Sequence, residues 1–363
     1  QKRERFKMRR GLLAWSEEEV SRPVLDSRVA RCRDAMAGSG LDALLVYTSF
    51  PRPAAVSWLT HFVPYWSQGV LAILPDGAPV FTVSLSKRVA NWIEETAHMG
   101  EIVCTPNLGR ALGELITGAA NKVGGAKKIG VVELSRLPGT IVNNLRDAAA
   151  GIELIDASDL FAALRSPADD TEIALTRRAA EIAHKALDLA KPGKGPVAAE
   201  ILSDIERSAR MQGCEEILID IAEDLSADKQ FRRLDGPSVF ANRYAVRLSV
   251  AYKGHWVRVG RTFEQDGADR ATSIEDSLAE TLPGSGATPP PGFVPGFEAL
   301  DRVVEGCIGS APLTVLLDPK PGAIVSITQR WQDAHGFWLV SEPVLMGKLP
   351  GQPSGLLVNR SES

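Results

Sequence analysis

The sequence predicts an α/β domain followed by a second domain built on a long helix and a β-hairpin. Three observations predict this. Between residues 24 and 158, short apolar runs alternate with amphipathic stretches and Gly/Pro punctuation, the pattern of strands alternating with helices. From Asp169 to Lys191 runs one long amphipathic segment. From Ala245 to Phe263 the chain alternates as two strands about a tight turn. The 363 residues, 44% of them hydrophobic, suffice for one large or two ordinary domains.

Residues 1–23 are a polar lead-in, and its basic start, Lys2 to Arg10, reads as a solvated tail. The first domain is expected over 24–158. Leu25 to Gly40 reads as a helix, with Val29, Cys32 and Met36 on one face and Gly38-Ser39-Gly40 as its stop. Leu41 to Tyr47 is an apolar run typical of a strand buried on both faces. Ala55 to Thr60 is a short helix. Further strands are expected at Val70–Leu74, Pro79–Val83, Glu101–Cys104 and Ile129–Glu133, and helices at Ser86–Glu95, Leu108–Asn121 and Pro138–Ala149.

Ala157 to Arg165 with Ser166-Pro167 marks the junction, and the second domain is expected over 159–363. In the long helix, Leu175, Ala179, Ile182, Ala186 and Leu189 share a face. Pro196 to Gln212 is the next helix, closed by Gly213, and Glu216–Ile221 and an irregular Ala222–Gly236 segment lead to the hairpin. There Val246, Leu248 and Val250 lean one way and Arg247, Ser249 and Ala251 the other. Tyr252-Lys253-Gly254 supplies the turn, with Gly254 able to take φ > 0. Arg247 and Arg258 lie across it. Beyond Phe263, helices are expected at Ser273–Leu282 and Phe297–Cys307. Between them, Pro283 to Gly296, with five prolines and four glycines, is expected to be an exposed, mobile loop without regular structure. Strands are expected at Leu313–Leu317, Ala323–Thr328 and Phe337–Val340.

These residues resemble the creatinase/aminopeptidase P/prolidase family, the pita-bread fold. In the first domain the resemblance rests on Arg28, Met36, Gly40-Leu41-Asp42-Ala43-Leu44-Leu45-Val46, Trp58-Leu59-Thr60-His61-Phe62 and an Asp76-Gly77 turn. In the second it rests on Lys191-Pro192-Gly193, Tyr252-Lys253-Gly254, Arg261-Thr262-Phe263 and Pro321-Gly322-Ala323-Ile324-Val325. The resemblance implies an α/β N-terminal domain and a pita-bread α+β C-terminal domain, here shortened. It also implies a dimer in which the N-terminal domain lends side chains to the neighbouring subunit's pocket.

The resemblance further implies where a metal centre would lie. The family's hairpin carries two metal-binding aspartates, and Arg247 and Arg258 stand in their places. The Pro-Gly strand leads to a metal-binding Glu, where this chain has Thr328. The last ligand, a Glu on the closing strand, matches Glu342 or Ser341. The family's Gly-His-Gly-Ile-Gly segment is missing, and so is its substrate-binding histidine near Asp224, Asp228, Arg232 and Arg233. A divalent cation needs lone-pair donors, whereas a guanidinium has only N–H groups and stays charged. No metal and no other cofactor is therefore expected.

A net charge of −4 with dispersed Arg and Lys argues against a nucleic-acid surface. No apolar run approaches the roughly 18–20 residues of a membrane helix. No signal peptide is visible, and the start at Gln1 points to a trimmed N-terminus. Cys32, Cys104, Cys214 and Cys307 have no C-x-x-C spacing and read as free thiols, which suits the cytoplasm. There is no G-x-S-x-G, no P-loop and no G-x-G-x-x-G after a strand. His255 should point away from the Arg258 side, His335 should be solvated, and His98 and His184 carry no special signal.

Two functions follow as expectations. The first is a metal-free, non-catalytic companion, a homodimer or a heteromer with a ligand-complete paralogue, holding an anion between Arg247 and Arg258. The second is a metal-independent, creatinase-like hydrolase of a C–N bond. In it the two arginines clamp a substrate carboxylate, Glu342 is the base and His61 of a partner subunit the acid. An interaction module similar to the histone-chaperone members of this fold ranks last, having no acidic tail or basic patch to support it.

Overall fold

The computed structural model describes residues 15–50, 52–64, 67–123, 127–191, 197–266, 294–301, 321–347, 355–356 and 358. They fall into two compact units that divide between Arg165 and Ser166.

The first unit begins with α1 (Arg22–Gly38), opened by a proline in its first turn and followed by Gly40 at φ +63°. Then come β1 (Ala43–Ser49), α2 (Ala54–Thr60), β2 (Gln68–Ile73) and β3 (Val80–Val83). After them run α3 (Ala90–Thr96), β4 (Glu101–Cys104), α4 (Leu108–Val123), β5 (Lys128–Val132), α5 (Gly139–Ala148), β6 (Glu153–Asp156) and α6 (Ser158–Leu164). The strands form one mixed sheet in the order β4-β3-β2-β1-β5-β6. The central strand β1 pairs antiparallel with β2 and parallel with β5. Its apolar run is continuous because both faces are covered. Leu44 and Val46 pack with α1 and α2, while Ala43 and Leu45 pack with α4 and α5. The edge strand β6 was not legible in the sequence, being four residues long with both ends exposed.

The second unit begins with α7 (Asp170–Leu187). Asp169 and Glu172 form a capping box at its start, each side chain accepting from the other's backbone N–H. Leu175, Ala179, Ile182 and Ala186 are buried together as the 3.6-residue period requires. α8 (Ala198–Met211) follows, then β7 (Glu216–Ala222), β8 (Arg243–Tyr252), β9 (His255–Glu264), β10 (Val294–Asp301), β11 (Ile324–Asp333), β12 (Gly336–Leu345) and the two-residue β13 (Gly355–Leu356). The sheet order is β10-β11-β12-β9-β8-β7, with β13 against β12, and every pairing is antiparallel. One face of this sheet is apolar. Val246, Leu248, Val250, Val257 and Val259 pack under α7 and α8. Each such side chain contributes about 1.5–3 kcal/mol of burial free energy.

Two expectations are corrected. The helix expected from Phe297 is instead strand for its described part, Phe297–Asp301. The Pro/Gly-rich stretch ends in regular structure, since Val294-Pro295-Gly296 opens β10. The physical reason is position: among the described residues β10 is the edge strand, where a proline without an N–H breaks no ladder bond on the outer side. A register shift between Phe297 and Ala299 bends it. The helix expected at Ser273–Leu282 and the strand at Leu313–Leu317 lie outside the described residues, as does Cys307.

Candidate functional site

The hairpin turn is tighter than the sequence suggested. Tyr252 pairs with His255, so Lys253 and Gly254 alone form it, at φ +49° and +79°. Two successive positive φ values match the right-handed twist of the strands. This turn fixes the register, and the register fixes what faces what. Arg247 lies opposite Gly260, and Ser249 opposite Arg258. Both arginines therefore stand on the same sheet face, the one turned away from α7 and α8.

The neighbouring strands complete that face. Asp220 of β7 lies opposite Arg247 and accepts from its Nη2 at 3.1 Å. The Arg247 guanidinium stacks over Phe231, 4.2 Å from the ring centre. Arg258 is fully buried; its Nε donates to Ser249 Oγ at 3.2 Å and its backbone N–H to Ser326 Oγ at 3.0 Å. Burial and then the charge of Arg247 lower the Arg258 pKa to about 10, with Asp220 opposing. Gly260 matters by having no side chain. A Cβ there would meet Ser341 Oγ at 3.1 Å and Arg247 Cγ at 3.3 Å. Across from it, Ser341 pairs with both Gly260 and Thr328, and the hydroxyls of Thr328 and Ser341 are 2.8 Å apart.

Arg247, Arg258, Thr328 and Ser341 thus share one face. The divalent metal that the fold resemblance implies does not fit this set. Two guanidiniums and two hydroxyls supply no anionic ligand, and the guanidiniums repel a cation. Among the described residues, no group of three His, Cys, Asp or Glu is arranged to hold a metal ion.

Glu342 does not join the arginines. One residue from Ser341 along β12, it points to the opposite face and is 2% exposed. Its Oε2 lies 3.1 Å from His184 Nε2, on α7. His184 Nδ1 lies 3.0 Å from Arg261 Nη2, and Arg261 Nη1 donates to Asp188 at 2.7 Å. Since Nδ1 faces a guanidinium donor, it must accept, which places the imidazole proton on Nε2. His61 lies in the first unit. It ends α2 in the left-handed region at φ +62°, is buried, and donates its backbone N–H to Ser57 O at 2.7 Å. His255 flanks the hairpin turn, His335 is exposed, and His98 lies 2.7 Å from Asp26.

Sequence reasoning missed two networks. One is His184–Glu342, whose only local signal is Asp188 one turn beyond His184 on the same face of the helix. The other is Arg243, which donates to Glu264 and Asp333 while stacking 4.5 Å above Trp338. Burial pushes the Asp333 carboxyl up, but the bonds from Arg243, Trp338 and the His335 N–H outweigh it and set its pKa at about 2. A cavity of about 330 Å³ rimmed by Asp224, Asn242, Arg243, Glu264, Asp266 and His335 adjoins this network.

An α/β unit followed by a helix-backed antiparallel sheet is the pita-bread class of two-unit protein. Residues 28–166 match the Creatinase/Prolidase N-terminal domain. The prolidase of Pyrococcus horikoshii OT3 superposes with a TM-score of 0.64 at 16% identity, over 92% of this chain and 98% of that one. The Xaa-Pro dipeptidase of Bacillus anthracis gives 0.64 at 20% identity, over 92% and 97%. The dipeptidase PepE of Mycobacterium ulcerans gives 0.61 at 15%, over 93% and 96%. No curated protein matches the sequence. Residues 28–166 are thus a creatinase/prolidase N-terminal domain, and the chain as a whole has the fold of these prolidases and dipeptidases. None of its described helices is long and apolar enough to cross a membrane.

Proposed function

We propose that this chain is a binding or companion subunit of the prolidase fold and not a metallopeptidase. The observation that carries the reading is the shared face of Arg247, Arg258, Thr328 and Ser341, which is built from cations and hydroxyls. Asp220, on the adjacent strand, lies opposite Arg247 and accepts from its guanidinium. Two guanidiniums on one face suit an anionic occupant: a small carboxylate, or an acidic side chain of a catalytic paralogue. The hydrolytic alternative has less behind it, because Glu342, its proposed base, is turned to the other side of the sheet and engaged by His184.

The test is an assay of Xaa-Pro dipeptides and of creatine with Mn²⁺, Co²⁺ or Zn²⁺ added and with none. The reading expects no turnover under any of these conditions. Metal-dependent hydrolysis would overturn it, and metal-independent hydrolysis of a C–N bond would favour the alternative.

A further inference from the structure

The first unit holds a cavity of about 260 Å³ that the arginine face does not involve. Its apolar wall is Val29, Leu59, Pro79 and Met99. Its polar side chains are Asp26, Arg33, Thr60 and His98. Asp26, Val29 and Arg33 follow at three- and four-residue spacing, so they form one row on α1.

The two charged groups of that row differ in state. Asp26 Oδ1 is 2.7 Å from His98 Nε2, and the His98 ring stacks on Trp15. Arg33 is held by backbone carbonyls instead. Its Nε donates to Leu74 O at 2.9 Å and its Nη2 to Gly77 O. These two bonds fix the guanidinium at the cavity wall without neutralising it, and among the described residues no carboxylate pairs with it. A guanidinium has five N–H donors in a planar fork, so donors remain for a bidentate acceptor. A fixed, uncompensated guanidinium beside an apolar wall is complementary to a small molecule with one carboxylate and a hydrocarbon body. At about 30 Å³ per water-sized volume, the cavity has room for about nine non-hydrogen atoms.

We propose that this cavity binds a short branched carboxylate, its carboxyl on Arg33 and its hydrocarbon part against Val29, Leu59, Pro79 and Met99. The test uses the full chain, ligand-observed NMR and titration calorimetry, with 4-methylpentanoate as probe and 4-methylpentanamide as its uncharged counterpart. The carboxylate should bind saturably and the amide about tenfold or more weakly. Arg33→Gln should weaken the carboxylate by a similar factor and leave the amide unchanged. Ala78→Leu, at an exposed position lining the cavity, should block both probes while thermal melting stays near that of the parent. Absence of saturable binding overturns the proposal, as does carboxylate binding that either substitution leaves intact.

Discussion

Thr328 and Ser341 face each other across β11 and β12, hydroxyl to hydroxyl at 2.8 Å, both buried. The family resemblance places one metal-binding carboxylate at Thr328 and another at Glu342 or Ser341. With Arg247 and Arg258 on the same face, charge at four positions is absent or reversed in sign relative to what a divalent cation needs. Each of these buried hydroxyls supplies the other's hydrogen-bond partner.

Asp220 offsets the charge of the arginines, and removing that charge should be felt by the fold. Asp220→Asn removes the carboxylate paired with Arg247, whose charge also acts on the buried Arg258. The expected loss is about 1–3 kcal/mol in chemical denaturation. An Asp220→Asn variant as stable as the parent would mean that the two guanidiniums are screened by other means.

His184 and Glu342 fasten α7 to the sheet. Replacing Glu342 by Ala removes the carboxylate 3.1 Å from His184 Nε2 in a fully buried site and should cost on the order of 3 kcal/mol. Replacing His184 by Ala should cost about as much, and the double variant should cost less than the sum, since the two act as one unit. Additive losses in a double-mutant cycle would show that the pair is not coupled.

Glu215 makes stability depend on pH. Burial pushes its carboxyl up to about 7, against the lowering influence of the Lys253 N–H and ammonium. A folded pKa above the unfolded value of 4.5 favours the protonated form. Its stabilisation is therefore complete below about pH 4.5 and lost as pH rises to about 7, by on the order of 3 kcal/mol. Asp333 acts in a separate window: its folded pKa of about 2, against 3.8 unfolded, gives stability that is lost as pH falls through that range. Glu215→Gln should flatten the pH dependence of the denaturation midpoint between pH 4.5 and 7. An unchanged slope would remove Glu215 from the account.

Local pattern made much of this structure legible. The continuous run at Leu41–Tyr47 announces a strand covered on both sides, and Leu44 and Leu45 do pack into opposite cores. The alternation of Val246, Leu248 and Val250 with Arg247 and Ser249 sets the two faces of the hairpin correctly. What stayed hidden depends on long-range register. Whether Ser341 or Glu342 faces the arginines turns on the pairing of Ser341 with Gly260, which no short stretch encodes. His184 carries no motif because its partners come from β9 and β12. β10 was concealed by its own proline and glycine, which an edge position tolerates.

The most direct test of the central claim is metal binding by the intact protein. Purified chain is dialysed against Mn²⁺, Co²⁺ or Zn²⁺, its metal content measured by elemental analysis, and the same ions titrated by calorimetry. The sheet face described here predicts content far below one ion per chain and no tight binding isotherm. One or two tightly held ions per chain, lost when Thr328 and Ser341 are replaced, would contradict it.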